Sequence, residues 1–134
     1  MAPPLSRAPL RASLLMLIAF ISSLGVLLAL LDPDRVASQY GMLLVGVNGY
    51  SQFFAIYVGV RIAIAAMALL AATNGDQPLL GDITAMFILA QPFGHLIAAF
   101  AIGLPKGDVL QLCGLQLAGG LLLLALRPRR PERR

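Results

Sequence analysis

The chain has 134 residues, 59% hydrophobic and 12% charged, with a net charge of +4 and a mean hydropathy of +0.86. A soluble domain averages about 25% charged residues, so water is not this chain's main solvent, and its length allows one domain. The positive charge does not indicate a nucleic-acid partner. Seven of the ten Lys and Arg residues lie at the two ends, as Arg7, Arg11, Arg127, Arg129, Arg130, Arg133 and Arg134. Basic residues flanking apolar spans are the mark of cytoplasmic ends.

Residues 1–11 form a basic, Pro-rich N-terminus expected to be disordered. A run of 20 uncharged residues, Ala12 to Leu31, follows Arg11. It exceeds the roughly 7–15 residues of a signal-peptide core, and no A-x-A site precedes Asp32. It therefore reads as an uncleaved first helix, 12–31. Asp32-Pro33-Asp34 ends it, because proline disfavours helical geometry at the residue before it. Residues 35–49 mix polar side chains with the apolar run Met42–Val47, and the sequence leaves two readings open: an interfacial segment or an early start of the second helix.

The second helix, 50–73, carries one full charge, Arg61, at its middle. About 20 apolar residues cross a bilayer as a helix, and a cation at the midplane costs a few kcal/mol. Asn74-Gly75-Asp76-Gln77-Pro78 is a turn signal. A third helix is expected over 83–104, ending at Pro105-Lys106-Gly107-Asp108, and a fourth over 109–126, ahead of the basic tail 127–134. The expected fold class is all-α: an integral membrane, antiparallel four-helix bundle formed by residues 12–126. Four spans place both termini on one side, and the positive-inside rule makes that side the cytoplasm of an inner (plasma) membrane. The second connection, with Asp76 and Asp82 and no basic residue, is then mildly anomalous.

Small residues recur four apart on every helix: Gly25/Ala29, Ala55/Gly59/Ala63, Ala90/Gly94/Ala98 and Gly114/Ala118. Such stripes let helix backbones approach closely in lipid, and the two three-member stripes predict a tight contact involving the second and third helices. At 100° per residue Tyr50, Tyr57 and Arg61 share one face of the second helix, and Thr84, Gln91 and His95 share a face of the third. Pro92 frees the carbonyl of Ile88 as an acceptor at membrane depth. No Asp or Glu lies within any expected span, which leaves Arg61 only neutral partners. Arg61, Gln91, His95 and Tyr57 are therefore the candidate ligand-binding residues.

Three readings of Arg61 remain open from the residues alone. In one, neutral groups and water satisfy it and it holds the bundle in register. In another, it binds an apolar ligand bearing an anion or a carbonyl, which a guanidinium fork suits. In the third, it contacts another subunit. No catalytic residue is assigned. The single histidine, His95, and single cysteine, Cys113, exclude ordinary metal-ligand sets and an intrachain disulfide, and no cofactor motif occurs.

A first helix ending in Leu31-Asp32-Pro33, a connection leading to Tyr40-Gly41-Met42, and a second helix containing Tyr57-Val58-Gly59-Val60-Arg61 resemble small bacterial four-helix membrane proteins of unassigned function near the DoxX-like group. The resemblance covers residues 12–126 and implies the four-helix fold. Some relatives carry an acid directly after the arginine, where this chain has Ile62. Some accompany biosynthetic pathways for apolar metabolites, which implies an isomerase or cyclase as an alternative function. The favoured expectation is a binding or accessory protein, not an enzyme. Its expected partners are membrane lipid and an apolar, lipid-like ligand, with a larger membrane complex or a homo-oligomer as further options.

Overall fold

A computed structural model describes residues 7–128 of the chain. Among the described residues all regular structure is helical: α1 (Arg7–Leu31), α2 (Pro33–Gln39), α3 (Gly46–Thr73), α4 (Pro78–Ile102) and α5 (Asp108–Ala125). Four of these, all but α2, are long and apolar enough to cross a membrane. Their outward faces are apolar too: Phe20, Phe93, Phe100 and Ile102 are all well exposed. Such surfaces are consistent with a membrane protein, because lipid takes the place of water around them.

Three of the long helices begin earlier than the sequence suggests, for local reasons. Helix α1 starts at Arg7, so residues 7–11 are helical and not disordered. Pro9 falls in its first turn, where a missing N–H costs nothing. Residues 1–6 and 129–134, most of the expected N-terminal disorder and of the basic tail, lie outside the described residues. Helix α4 starts with Pro78 at its first position, the helical site proline suits best, and so includes Asp82. Helix α3 starts at Gly46.

Residues 35–49 hold most of a short separate helix and, from Gly46, an early start of the second long helix. Asp32 caps α2 by accepting from the Arg35 backbone N–H at 3.1 Å, with Pro33 at the first helical position. The same Asp-Pro pair thus ends one helix and begins the next. After a bend at Gly41, α3 has already begun by Gly46.

Helix α1 packs chiefly on α3, α3 on α4, and α4 on α5, while α1 and α5 close the ring of four long helices with much slighter contact. The main core joins Leu15 and Ala19 of α1, Ile64, Ala68 and Ala71 of α3, Ala85 and Ile88 of α4, and Leu123 of α5. A second cluster of Ala29, Ala37 and Phe53 holds α2 against the ends of α1 and α3. The main core follows helical spacing of three and four.

The small-residue stripes on α3 and α4 do not make the expected contact. Ala55, Gly59, Ala63, Ala90 and Gly94 are exposed, and Gly114 and Ala118 of α5 are exposed as well. The buried residues of α3 and α4 lie on other faces, as Ile64, Ala68 and Ala71 and as Ala85 and Ile88. Close approach occurs elsewhere, at Gly120, where an added Cβ would lie 2.5 Å from Leu89 Cγ.

Candidate functional site

Helix α3 contains a π turn, Ala55–Val60, immediately before Arg61. Phe53, Tyr57 and Arg61 are spaced by two steps of four, which on a regular α-helix drift by about 80°. An i→i+5 turn holds more residues per turn and removes most of that drift. The three side chains consequently line up on one side of α3. Tyr57 stacks on Phe53 with centroids 4.8 Å apart, and the Arg61 guanidinium carbon lies 5.6 Å from the centre of the Tyr57 ring. Single π turns are frequent at functional sites.

The face shared by Tyr50, Tyr57 and Arg61 is present, but its partner is α2 and the residue that caps it. Tyr50 donates its hydroxyl to Asp34 at 2.7 Å. Tyr57 packs on Tyr40 at 5.0 Å between centroids. Arg61 Nη2 donates to the Tyr40 hydroxyl at 3.0 Å, its one side-chain hydrogen bond among the described residues. A helical side chain leans toward its helix's N-terminus, so Arg61 extends toward the α2 end of the molecule. Helix α2 and Tyr40 fold down to meet it. Gly25 of α1 completes the setting: a Cβ there would lie 2.2 Å from Arg61 Nη1, so the absence of a side chain makes room for the guanidinium.

Below this cluster is a cavity of about 160 Å³ lined by all four long helices. Its walls are apolar apart from one polar residue from each helix: Ser22, Arg61, Gln91 and Gln116. All four lie near the middle of their helices. Gln116 Nε2 donates to Gln91 Oε1 at 2.6 Å. Each carboxamide has further hydrogen-bonding capacity, including the second amide arm of Gln91.

Of the four residues expected at the site, Arg61 and Gln91 share this cavity, and Tyr57 supports Arg61 from the side. His95 is placed elsewhere. It lines a separate cavity of about 360 Å³ between α4 and α5, together with Cys113 and otherwise apolar residues. No cluster of three or more metal-ligating side chains occurs among the described residues.

Sequence reasoning missed Tyr40, Ser22, Gln116 and Gly25. Gln116 had a usable signal, as a carboxamide at the centre of a span. Gly25 belonged to a small-residue pair, though nothing in the sequence connected it with Arg61. Tyr40 lay in the stretch whose structure the sequence left open.

A second polar cluster lies at the other end of the helices. Asp82 of α4 accepts from Arg11 Nη2 of α1 at 2.5 Å and from Arg127 Nε, just beyond α5, at 3.0 Å. The expected lack of basic residues near the second connection thus disappears in three dimensions, because the cations come from the two ends of the chain. Arg11 is only 4% exposed, and its Nε has no partner among the described residues. An adjacent cavity of about 30 Å³ has room for a water molecule.

No family model, curated protein or solved structure matches the chain.

Proposed function

We propose that the chain is an integral membrane protein, an antiparallel bundle of four spans with both termini in the cytoplasm, that binds an apolar ligand bearing an anionic or carbonyl group and carries out no reaction on it. The observation that carries the reading is the central cavity: apolar walls from four helices, one polar residue from each, and a guanidinium among them. Ligand sites are commonly apolar enclosures with a few convergent polar groups, and ionisable residues at membrane depth are functional candidates. The proposed orientation is supported by Arg7 and Arg11 before α1 enters the apolar zone and by the arginines after α5.

A binding role is favoured over an isomerase or cyclase because proton-transfer chemistry needs a positioned acid or base beside the reacting atoms. Ser22, Gln91 and Gln116 are poor candidates at neutral pH, and His95 faces a different cavity. The test is mass spectrometry of small molecules that co-purify with the wild-type protein and with Arg61→Leu. A species retained by the first and lost from the second supports the reading; identical contents in both overturn it. Labelling of Ala2→Cys and Arg133→Cys in a Cys113→Ala background tests orientation, and reaction only from the outside would overturn the proposed topology.

A further inference from the structure

Resting on that ligand-binding reading, we propose that the ligand is a single-chain carboxylate amphiphile, of the free fatty acid class, which enters the central cavity sideways between α1 and α5.

Charge argues for a carboxylate. Among the described residues Asp82 is paired with Arg11 and Arg127, and Asp34 accepts from Tyr50. Arg61 has a hydroxyl and an aromatic ring beside it but no acid among the described residues. A guanidinium in apolar surroundings is stabilised far more by an anion than by neutral acceptors, and its planar fork matches a carboxylate. The Gln91 amide can supply a further donor to such a group.

Size argues for an amphiphile held by one end. The cavity's 160 Å³ is close to the roughly 150 Å³ of an apolar cavity that binds one benzene molecule. A headgroup and a few methylenes fit inside, and a longer tail must leave.

The exposure of the walls shows where it leaves. The apolar residues that α3 and α4 contribute, Ile64 and Ile88, are 4% and 8% exposed. The lining residues that are exposed all come from α1 and α5: Leu17, Ile21 and Leu115, at 52%, 47% and 63%. The cavity is closed behind and open in front, along the one neighbouring pair of long helices whose contact is slight. The rim is wholly apolar there, which suits an alkyl tail lying in the bilayer and does not suit entry from water.

The test uses the full chain in phosphatidylcholine nanodiscs with a spin-labelled C16 fatty acid and its methyl ester, reading the motionally restricted fraction by electron paramagnetic resonance. The acid should bind roughly tenfold or more tightly than the ester, the scale of one charge-assisted hydrogen bond. That ratio should fall to about one in Arg61→Leu, which removes a charge from an apolar setting and should insert normally. Leu115→Trp, at the rim, should reduce restriction of both probes. Equal binding of acid and ester to the wild type overturns the carboxylate assignment. Unchanged, Arg61-dependent acid binding in Leu115→Trp overturns sideways entry. If neither probe binds while a small molecule still co-purifies in an Arg61-dependent way, this inference fails alone; if neither occurs, the binding reading fails with it.

Discussion

Arg61 and Tyr40 are joined by a hydrogen bond of 3.0 Å across 21 residues of sequence. The arginine belongs to a long apolar helix and the tyrosine to the end of a short one. Their contact explains how a cation near the middle of a long apolar helix is accommodated with no acid beside it among the described residues. The side chain reaches part of the way toward the helix end, and the connection descends to meet it.

Tyr40→Phe removes that acceptor while keeping the tilted ring contact with Tyr57. A hydrogen bond to a charged group contributes about 1.5–3 kcal/mol, so a loss on that scale is expected in reversible unfolding from mixed micelles. In an Arg61→Leu background the same substitution should cost almost nothing. A loss of equal size in both backgrounds would show that Tyr40 acts through packing alone.

Gly25→Ala should have opposite consequences in two backgrounds. Alanine favours a helix over glycine by about 1 kcal/mol. In the wild type the new Cβ would meet Arg61 Nη1 at 2.2 Å and push the guanidinium off Tyr40, offsetting that gain. With Arg61→Leu the clash with the guanidinium is gone and Gly25→Ala should stabilise the protein. Stabilisation of both proteins alike would show that Arg61 does not use this space.

Gly120→Ala should destabilise by about 1–3 kcal/mol, because Leu89 lies where the methyl group would go and both residues are held between packed helices. Gly94→Ala and Gly114→Ala meet nothing within 4 Å and should be neutral or mildly stabilising. Thermal denaturation of the three variants in one detergent distinguishes these outcomes. A reversed order would place the tight helix contact on the outer stripes.

Asp82→Asn should cost about 3–5 kcal/mol, the scale for leaving a buried charge without its partner, since Arg11 is almost wholly buried. Arg127→Gln removes the other half of the cluster, but this side chain is 52% exposed and its loss should cost no more than about 1 kcal/mol. Equal effects in unfolding measurements would mean that the Arg127 contact, and not the buried Arg11 pair, carries the stabilising effect of the carboxylate.

The all-helical class and four long apolar segments were legible from hydrophobicity and turn residues alone, since both are properties of contiguous sequence. Helix starts were less so: Pro9, Pro33 and Pro78 each sit inside a first turn, where proline is compatible with helix, yet each resembles a break when read alone. The common face of Tyr50, Tyr57 and Arg61 followed from helical arithmetic, while the π turn that brings Phe53 into line had no visible cause. What covers that face was not legible, because it depends on how residues 32–45 fold back over α3. Spacing also misplaced the contacts of the small-residue stripes. In a chain this rich in Ala and Gly, periodicity alone does not say which stripe meets a neighbour.

The shared carboxylate of Asp82 also imposes an order of assembly. A chain made from its N-terminus presents Arg11 first, Asp82 after two further long helices have begun, and Arg127 only when the last helix is complete. Arg11 therefore has no carboxylate to pair with until α4 is made, and its burial against Asp82 waits for that helix. The third member of the cluster arrives as α5 finishes, so a nascent chain lacking α5 already has the Arg11–Asp82 tie but no wall opposite Ser22. The central cavity becomes a cavity only when α5 packs against the other helices.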